Sequence, residues 1–454
     1  MNARRLAALL PVPATFALGG ALARWWFDRA PERYANDLAQ PLVVVTAWGA
    51  YGGGAFAILA ATVLCAAIAL AVAALRSARG AGRGDLAAVE LCAALAIAFA
   101  IGWPFVFSSD CYAYAAYGAM MLGGLDPYTP LPAHVHGAFL DAARWQWSGA
   151  YPVCVYGPLF VALATATVGC IGSHGVGVTL FAFRVLAALA FLGSIALLDR
   201  ALADAPAPRR YLALCAYGLN PVCLWAVAEG HNDAFLLLAI MAAAAFARER
   251  APLAAFALGL SPLLKAPGAA FAFAAVLDAW SRRSRDRVRV TLAAAGGLVL
   301  AACLVLPPLR PALASLGAHG RYAPEVSLQG LIGPEAAFAI AILAGAYGLW
   351  CLRLQNRAGY AWIGIGLLSA TPNGYPWYAL WLVPWSLAAG TGWASRALWG
   401  ATIASVARYL PDAAGTLGPE AARLAAAAVT FPLAFALADA FPTAFVRKKA
   451  PVQP

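Results

Sequence analysis

Side chains able to do acid–base or anion-binding chemistry are sparse in this chain and gather in a few short strings. Ser108-Ser109-Asp110-Cys111-Tyr112-Ala113-Tyr114 directly follows an apolar run and places a carboxylate among aromatic rings. An Asp there can cap a helix through its carboxylate. Held near an apolar boundary, it can equally act as a general base. Glu229-Gly230-His231-Asn232-Asp233 packs four polar side chains into five residues between two apolar runs. A short interhelical turn must be polar, yet His, Asn and Asp together are also what holds sugar hydroxyls or a phosphate. Lys265, in Leu263-Leu264-Lys265-Ala266-Pro267, is one of three Lys against 28 Arg, and the other two lie near the C-terminal end. An ammonium between apolar segments costs about 2.5–3.5 kcal/mol on insertion scales, so it calls for water or an anionic partner. A phosphate would serve, and so would snorkelling of the side chain toward water.

Three other strings carry weaker signals. Gly123-Gly124-Leu125-Asp126-Pro127-Tyr128 is above all a turn. Tyr156-Gly157-Pro158-Leu159 puts Pro where a helix starts, in the first turn that tolerates it. Pro372-Asn373-Gly374-Tyr375-Pro376-Trp377-Tyr378, with Trp381 and Trp385, fits an interfacial aromatic belt, and the same rings would offer stacking faces to a sugar. There is no Walker loop, H-E-x-x-H or G-x-S-x-G string. His134-x-His136 alone is too little for a metal site, so no cofactor is called for and a divalent metal is not indicated. Cys111 and Cys154 flank one polar loop and could pair, although spacing alone fixes no bridge.

The elements that must position these residues are membrane helices. The 454 residues are 63% hydrophobic and only 11% charged, whereas a soluble domain carries about 25% charged residues. The apolar runs are unbroken rather than alternating, which excludes a barrel. The surplus of 31 Lys and Arg over 20 Asp and Glu sits mostly in short links, where it sets orientation and meets lipid headgroups rather than nucleic acid. Candidate spans are 6–27, 42–75, 86–107, 178–198, 211–229, 232–247, 252–264, 267–280, 290–309, 331–351, 358–371, 377–393, 396–410 and 420–446. Several fall below the ~20 residues needed to cross alone, which implies tilted pairs or oblique half-helices. The start resembles a signal peptide but reads better as an uncleaved first span.

Basic clusters at Arg4/Arg5, Arg76–Arg83, Arg200–Arg210, Arg248/Arg250, Arg282–Arg289, Arg353/Arg357 and Arg447–Lys449 should all be cytoplasmic. One topology satisfies them all, with both termini cytoplasmic, provided that 156–172 lies against the outer face instead of crossing. Asp110, Tyr156, His231-Asn232-Asp233, Lys265, Arg321 and Trp377-Tyr378 then share the exoplasmic side. The expectation is a single integral-membrane domain over 1–454, with an exoplasmic loop and juxtamembrane helices at 108–177 and the remaining spans at 178–446.

At these strings the sequence resembles the GT-C superfamily of membrane glycosyltransferases, most closely the actinobacterial polyprenol-phosphomannose-dependent α-(1→6)-mannosyltransferases. The matching strings are SSDCYAYAAYG, GGLDPYT, VYGPLF, EGHNDAFLLLA, LSPLLKAPGA and PWYALW, in family order over about 102–390. The resemblance implies an all-α polytopic bundle of about 12–14 transmembrane helices, with a large first exoplasmic loop packed over a lipid-facing groove. It implies an inverting transferase in the cytoplasmic membrane, moving a sugar, mannose by likeness, from a polyprenyl-phosphate donor to a glycan or glycolipid acceptor. Asp110 would be the base. Lys265, His231 and Arg321 would contact the donor phosphate. Tyr114, Asp126, Tyr128, Tyr156, Asn232, Asp233, Trp377 and Tyr378 would shape the sugar and acceptor pocket. Cys111 departs from the aliphatic residue expected after the Asp, and no soluble C-terminal domain is expected. A polytopic transporter or lipid flippase is the rival reading, but no internal symmetry supports it. A non-catalytic scaffold would have lost the loop carboxylate.

Overall fold

Alanine-rich apolar runs strongly favour helix, and Pro and Gly punctuate them into segments. In the computed structural model the described residues are 3–27, 53–78, 80–103, 108–146, 153–247, 249–283, 285–305, 327–390 and 392–409, with isolated positions within 311–317 and 430–438. Among them there are helices and turns and no strand, so the fold is all-α. The first layer is α1 (Ala3–Leu9), α2 (Pro11–Phe27), α3 (Gly53–Arg76) and α4 (Arg83–Ala100). The expected outer loop holds α5 (Asp110–Leu122), α6 (Ala138–Gln146) and α7 (Pro158–Ile171). Then follow α8 (Val176–Ala201), α9 (Ala207–Gly218), α10 (Pro221–Ala228), α11 (Asp233–Phe246), α12 (Ala251–Leu260), α13 (Pro267–Ser281) and α14 (Arg287–Val305). The last group is α15 (Leu328–Ile332), α16 (Pro334–Arg353), α17 (Ala358–Ala370), α18 (Ala379–Ala389) and α19 (Trp393–Ala404).

Among the described residues, Ala3–Ala23, Val176–Ala201 and Pro334–Arg353 are long and apolar enough to cross alone, and α9 with α10, bent by 45°, makes a fourth if read as one span. Asn220 sits at that bend and caps α10, its side-chain oxygen accepting from the Val222 and Cys223 amides. Shorter apolar helices of 10–17 residues, among them Asp233–Phe246 and Ala358–Ala370, also occur, as the half-helix expectation implies. At 1.5 Å per residue, the 14 residues of α7 extend only about 21 Å, short of a ~30 Å hydrocarbon core. Candidate span 420–446 falls almost wholly outside the described residues.

Large apolar side chains point outward from α14 and α16, among them Leu292, Val299, Ile342, Leu343 and Trp350, each more than half exposed. Water would not tolerate such a surface, and lipid does. Between helices, small residues set the spacing, as expected where lipid removes the hydrophobic drive to associate. A Cβ on Gly348 of α16 would lie 2.8 Å from the Gly359 carbonyl of α17, and one on Gly259 of α12 would lie 2.2 Å from the Ala294 carbonyl of α14.

Two groups of polar links bear on the site and on the remaining helices. In one group Arg5 pairs with Asp85 at 2.7 Å and donates to the Ser77 carbonyl, while Ser77 Oγ meets the Tyr211 hydroxyl at 3.0 Å. Arg210 pairs with Asp199 and Arg200 with Glu249. The residues singled out for chemistry meet elsewhere, around the N-termini of α5 and α11.

Candidate active site

Asp110 opens α5, with its own amide bonded to Ser108 Oγ at 3.2 Å. A carboxylate in the first turn is favoured by the helix dipole. Three groups converge on its Oδ2: the Tyr156 hydroxyl at 3.1 Å, the Tyr114 hydroxyl at 3.3 Å and His231 Nδ1 at 3.3 Å. Oδ1 takes no hydrogen bond from a described residue, and the side chain keeps 20% of its surface open. The carboxylate is thus anchored through one oxygen and available through the other. Burial opposes its ionisation, but His231, Lys265 and the Tyr156 hydroxyl outweigh this and hold it below the usual carboxylate range.

The turn between α10 and α11 supplies the next groups. Gly230 has φ +78°, and a Cβ there would lie 2.4 Å from Cys111 Sγ. Only Gly fits, for both conformation and clearance. The turn is thereby pressed against the start of α5, and the Cys111 thiol donates to the Glu229 carbonyl at 3.1 Å. His231 has no exposed surface; its Nδ1 faces Asp110 and its Nε2 lies 3.9 Å from Glu229 Oε2. The Nδ1 contact is off the line of a good hydrogen bond. Burial works against the charged ring, but the Asp110 and Glu229 carboxylates raise it to about 9.

Asp233, fully buried in the first turn of α11, accepts two bonds from Lys265 Nζ at 2.8 and 2.7 Å. The anionic partner that Lys265 required is therefore, without ligand, an internal carboxylate. Nζ also reaches Asn232 Oδ1 at 3.5 Å and lies 5.6 Å from the Tyr156 ring and 5.4 Å from the Tyr378 ring. The Tyr114 hydroxyl, 3.4 Å from Asn232 Oδ1, ties that amide to Asp110. Asn232 Nδ2 is buried without a hydrogen-bond partner.

Tyr156 joins the two halves of the site. Its hydroxyl serves Asp110 and its ring faces Lys265. The next residue explains the placement: the Gly157 amide bonds the Leu264 carbonyl at 3.2 Å, and a Cβ on Gly157 would lie 2.1 Å from the Leu263 carbonyl oxygen. The loop before α7 is docked on the break that carries Lys265.

The structure thus brings together Asp110, Tyr114, Tyr156, His231, Asn232, Asp233, Lys265 and Tyr378. Others are placed differently from expectation. Asp126 caps its own turn by accepting from the Tyr128 amide, and Tyr128 donates to the Tyr156 carbonyl at 2.9 Å, so this pair supports Tyr156 from behind. Trp377 is stacked by His231 (4.2 Å, 16°) and by Tyr375 (4.3 Å, 9°), which engages its rings within the protein. His231, expected at a donor phosphate, is enclosed between two carboxylates instead. Cys111 and Cys154 are both free thiols and do not pair. His136 meets Asp141 at 2.9 Å. Arg321 lies outside the described residues. Glu229, Gly157, Gly230 and Tyr375 were missed as site-forming residues. Their only sequence signal was membership of the same strings, since burial and close approach leave no local mark.

Residues 14–282, more than half of the chain, match the family described as alpha-(1->6)-mannopyranosyltransferase, N-terminal domain. That stretch contains Asp110, Tyr156, Glu229–Asp233 and Lys265. The chain is similar to alpha-(1->6)-mannopyranosyltransferase A of Mycobacterium tuberculosis (strain ATCC 25618 / H37Rv), with 28% identity over 347 residues, covering 67% of this chain and 65% of that relative. No solved structure matches. By its matched stretch and the motifs within it, the chain belongs to the alpha-(1->6)-mannopyranosyltransferase family.

Proposed function

We propose that this protein is an inverting mannosyltransferase that takes its sugar from a polyprenyl-phosphate donor at the exoplasmic face of the cytoplasmic membrane and passes it to a glycan or glycolipid acceptor. Family membership supports sugar transfer. One observation carries the mechanism: Asp110 is held ionised through Oδ2, leaves Oδ1 unengaged, and shares Tyr156 with the Lys265 cation. In the reaction Asp110 accepts the proton of the acceptor hydroxyl. That oxygen forms the new bond to the anomeric carbon as the bond from this carbon to the phosphate oxygen breaks. The electron pair leaves on the phosphate, which needs no general acid. Lys265 and the unpartnered Asn232 amide supply positive charge and a donor for that phosphate, with Asp233 exchanging its ion pair as the donor enters. Tyr378, half-buried beside Lys265, is the aromatic side chain best placed to meet a sugar.

Asp110→Asn tests the base. General-base catalysis contributes about 10²–10⁴ in rate, so turnover of polyprenyl-phosphate mannose by purified protein should fall at least about a hundredfold with the fold intact. An Asn variant that turns over normally removes Asp110 from the chemistry.

A further inference from the structure

His231 is set between two carboxylates, one on each ring nitrogen: Asp110 at 3.3 Å from Nδ1 and Glu229 at 3.9 Å from Nε2. A neutral imidazole would turn a lone pair toward one of them; only the imidazolium presents a proton to both. Neither His231 nor Glu229 is open to solvent, at 0% and 1% exposure, so neither can meet a substrate as placed. The ring cannot swing away easily, because Trp377 lies flat against it and is itself backed by Tyr375.

We infer that Glu229 and His231 are positioning residues for Asp110, forming a buried Glu–imidazolium pair that orients the base and keeps it ionised while the acceptor hydroxyl approaches its free oxygen. This deepens the proposed reading and rests on Asp110 being the base. The imidazolium keeps its proton throughout, and the proton from the acceptor goes to Asp110 alone. Other charged and titratable groups surround the pair. Lys265, from the break before α13, adds positive charge near Asp110. The Tyr114 and Tyr156 hydroxyls bond that carboxylate. Arg184 of α8, bonded to the Ile101 and Trp103 carbonyls, passes against Gly230, and the Cys111 thiol touches the Glu229 carbonyl. Asp233 is neutralised by Lys265. His231 contacts both carboxylates.

The test is the pH profile of kcat/KM for Glu229→Gln and His231→Gln, with polyprenyl-phosphate mannose as donor and a mannoside acceptor, in protein shown to be monodisperse in detergent. Losing the Glu229 charge weakens the proton's hold on His231, and Asp110 loses its cationic partner at a lower pH than in the wild type. In Glu229→Gln the alkaline limb should move inward by roughly one pH unit, with a lower plateau, while the acid limb does not move inward, because His231 is still protonated where Asp110 titrates. His231→Gln should lose the alkaline limb and raise the acid limb. A residue that only packs would lower the plateau and leave both limbs in place, and that outcome in either folded variant overturns the inference. If Glu229→Gln does not fold, the His231→Gln profile decides alone. If Asp110→Asn stays active, the base assignment has failed instead, which separates the two outcomes.

Discussion

At the scale of single residues, the site is a set of charges balanced by position. Asp110 has a folded-state value below that of a free carboxylate, so its contribution to stability is present above the unfolded value and lost as pH falls through the folded one. His231 is the reverse case. Raised to about 9, its contribution is complete below its unfolded value of about 6.5 and lost as pH rises through about 9. Thermal unfolding in detergent should therefore show a falling midpoint from about pH 6.5 to 9, and His231→Gln should flatten that fall. A wild-type midpoint constant across this window would contradict a charged, buried His231. Lys265 and Asp233 make a second balance. Lys265→Met strands a fully buried carboxylate, and such a broken pair costs about 3–5 kcal/mol. Adding Asp233→Asn should restore the unfolding midpoint but not turnover. Recovery of both would show that the pair is structural only.

Among the elements, the decisive contacts are those where backbone meets backbone without a side chain between. The Tyr156 loop reaches Lys265 only because Gly157 lets it approach the Leu263 carbonyl. Gly157→Val should push that loop away and separate the Tyr156 hydroxyl from Asp110. A misplacement near 1 Å can cost about 10² in rate, so activity should drop by that order while the helices stay folded by circular dichroism. Full activity would mean that the loop is not what seats Tyr156. The string around Gly157 reads as helix initiation, which is true of Pro158 in the first turn of α7. Nothing local indicated that the preceding residue was a docking point, because the partner lies more than a hundred residues away.

For the whole molecule, two groups of polar links bear on topology. Arg5, Ser77, Asp85, Asp199, Arg200, Arg210 and Glu249 are joined pairwise in one, and Asp110, Tyr156, His231, Asn232, Asp233 and Lys265 form the other. By the positive-inside bias the first group is expected on the cytoplasmic side and the second on the exoplasmic side. Single cysteines at Ala133 and Arg283, both exposed, should discriminate the sides once the exposed native thiols Cys65, Cys170 and Cys303 are replaced. An impermeant maleimide should label the Ala133 site in intact cells and the Arg283 site only after lysis. Labelling of both from outside would overturn the topology.

The helical class, the membrane as solvent and the strings that form the site were legible in the sequence because each rests on local facts: composition, run length, and polar residues where apolar ones are cheaper. The family likeness rested on the order of those strings. What needed the tertiary structure was who faces whom. Lys265 called for water or an anionic partner from sequence alone, but only folding made that partner Asp233. Trp377 offered a stacking face that the fold gave to His231 and Tyr375. Glu229 looked like one polar residue in a turn until burial placed it beside an imidazole that already faced Asp110. Partner choice between residues distant in the chain is set by packing across helices, and no local pattern records it.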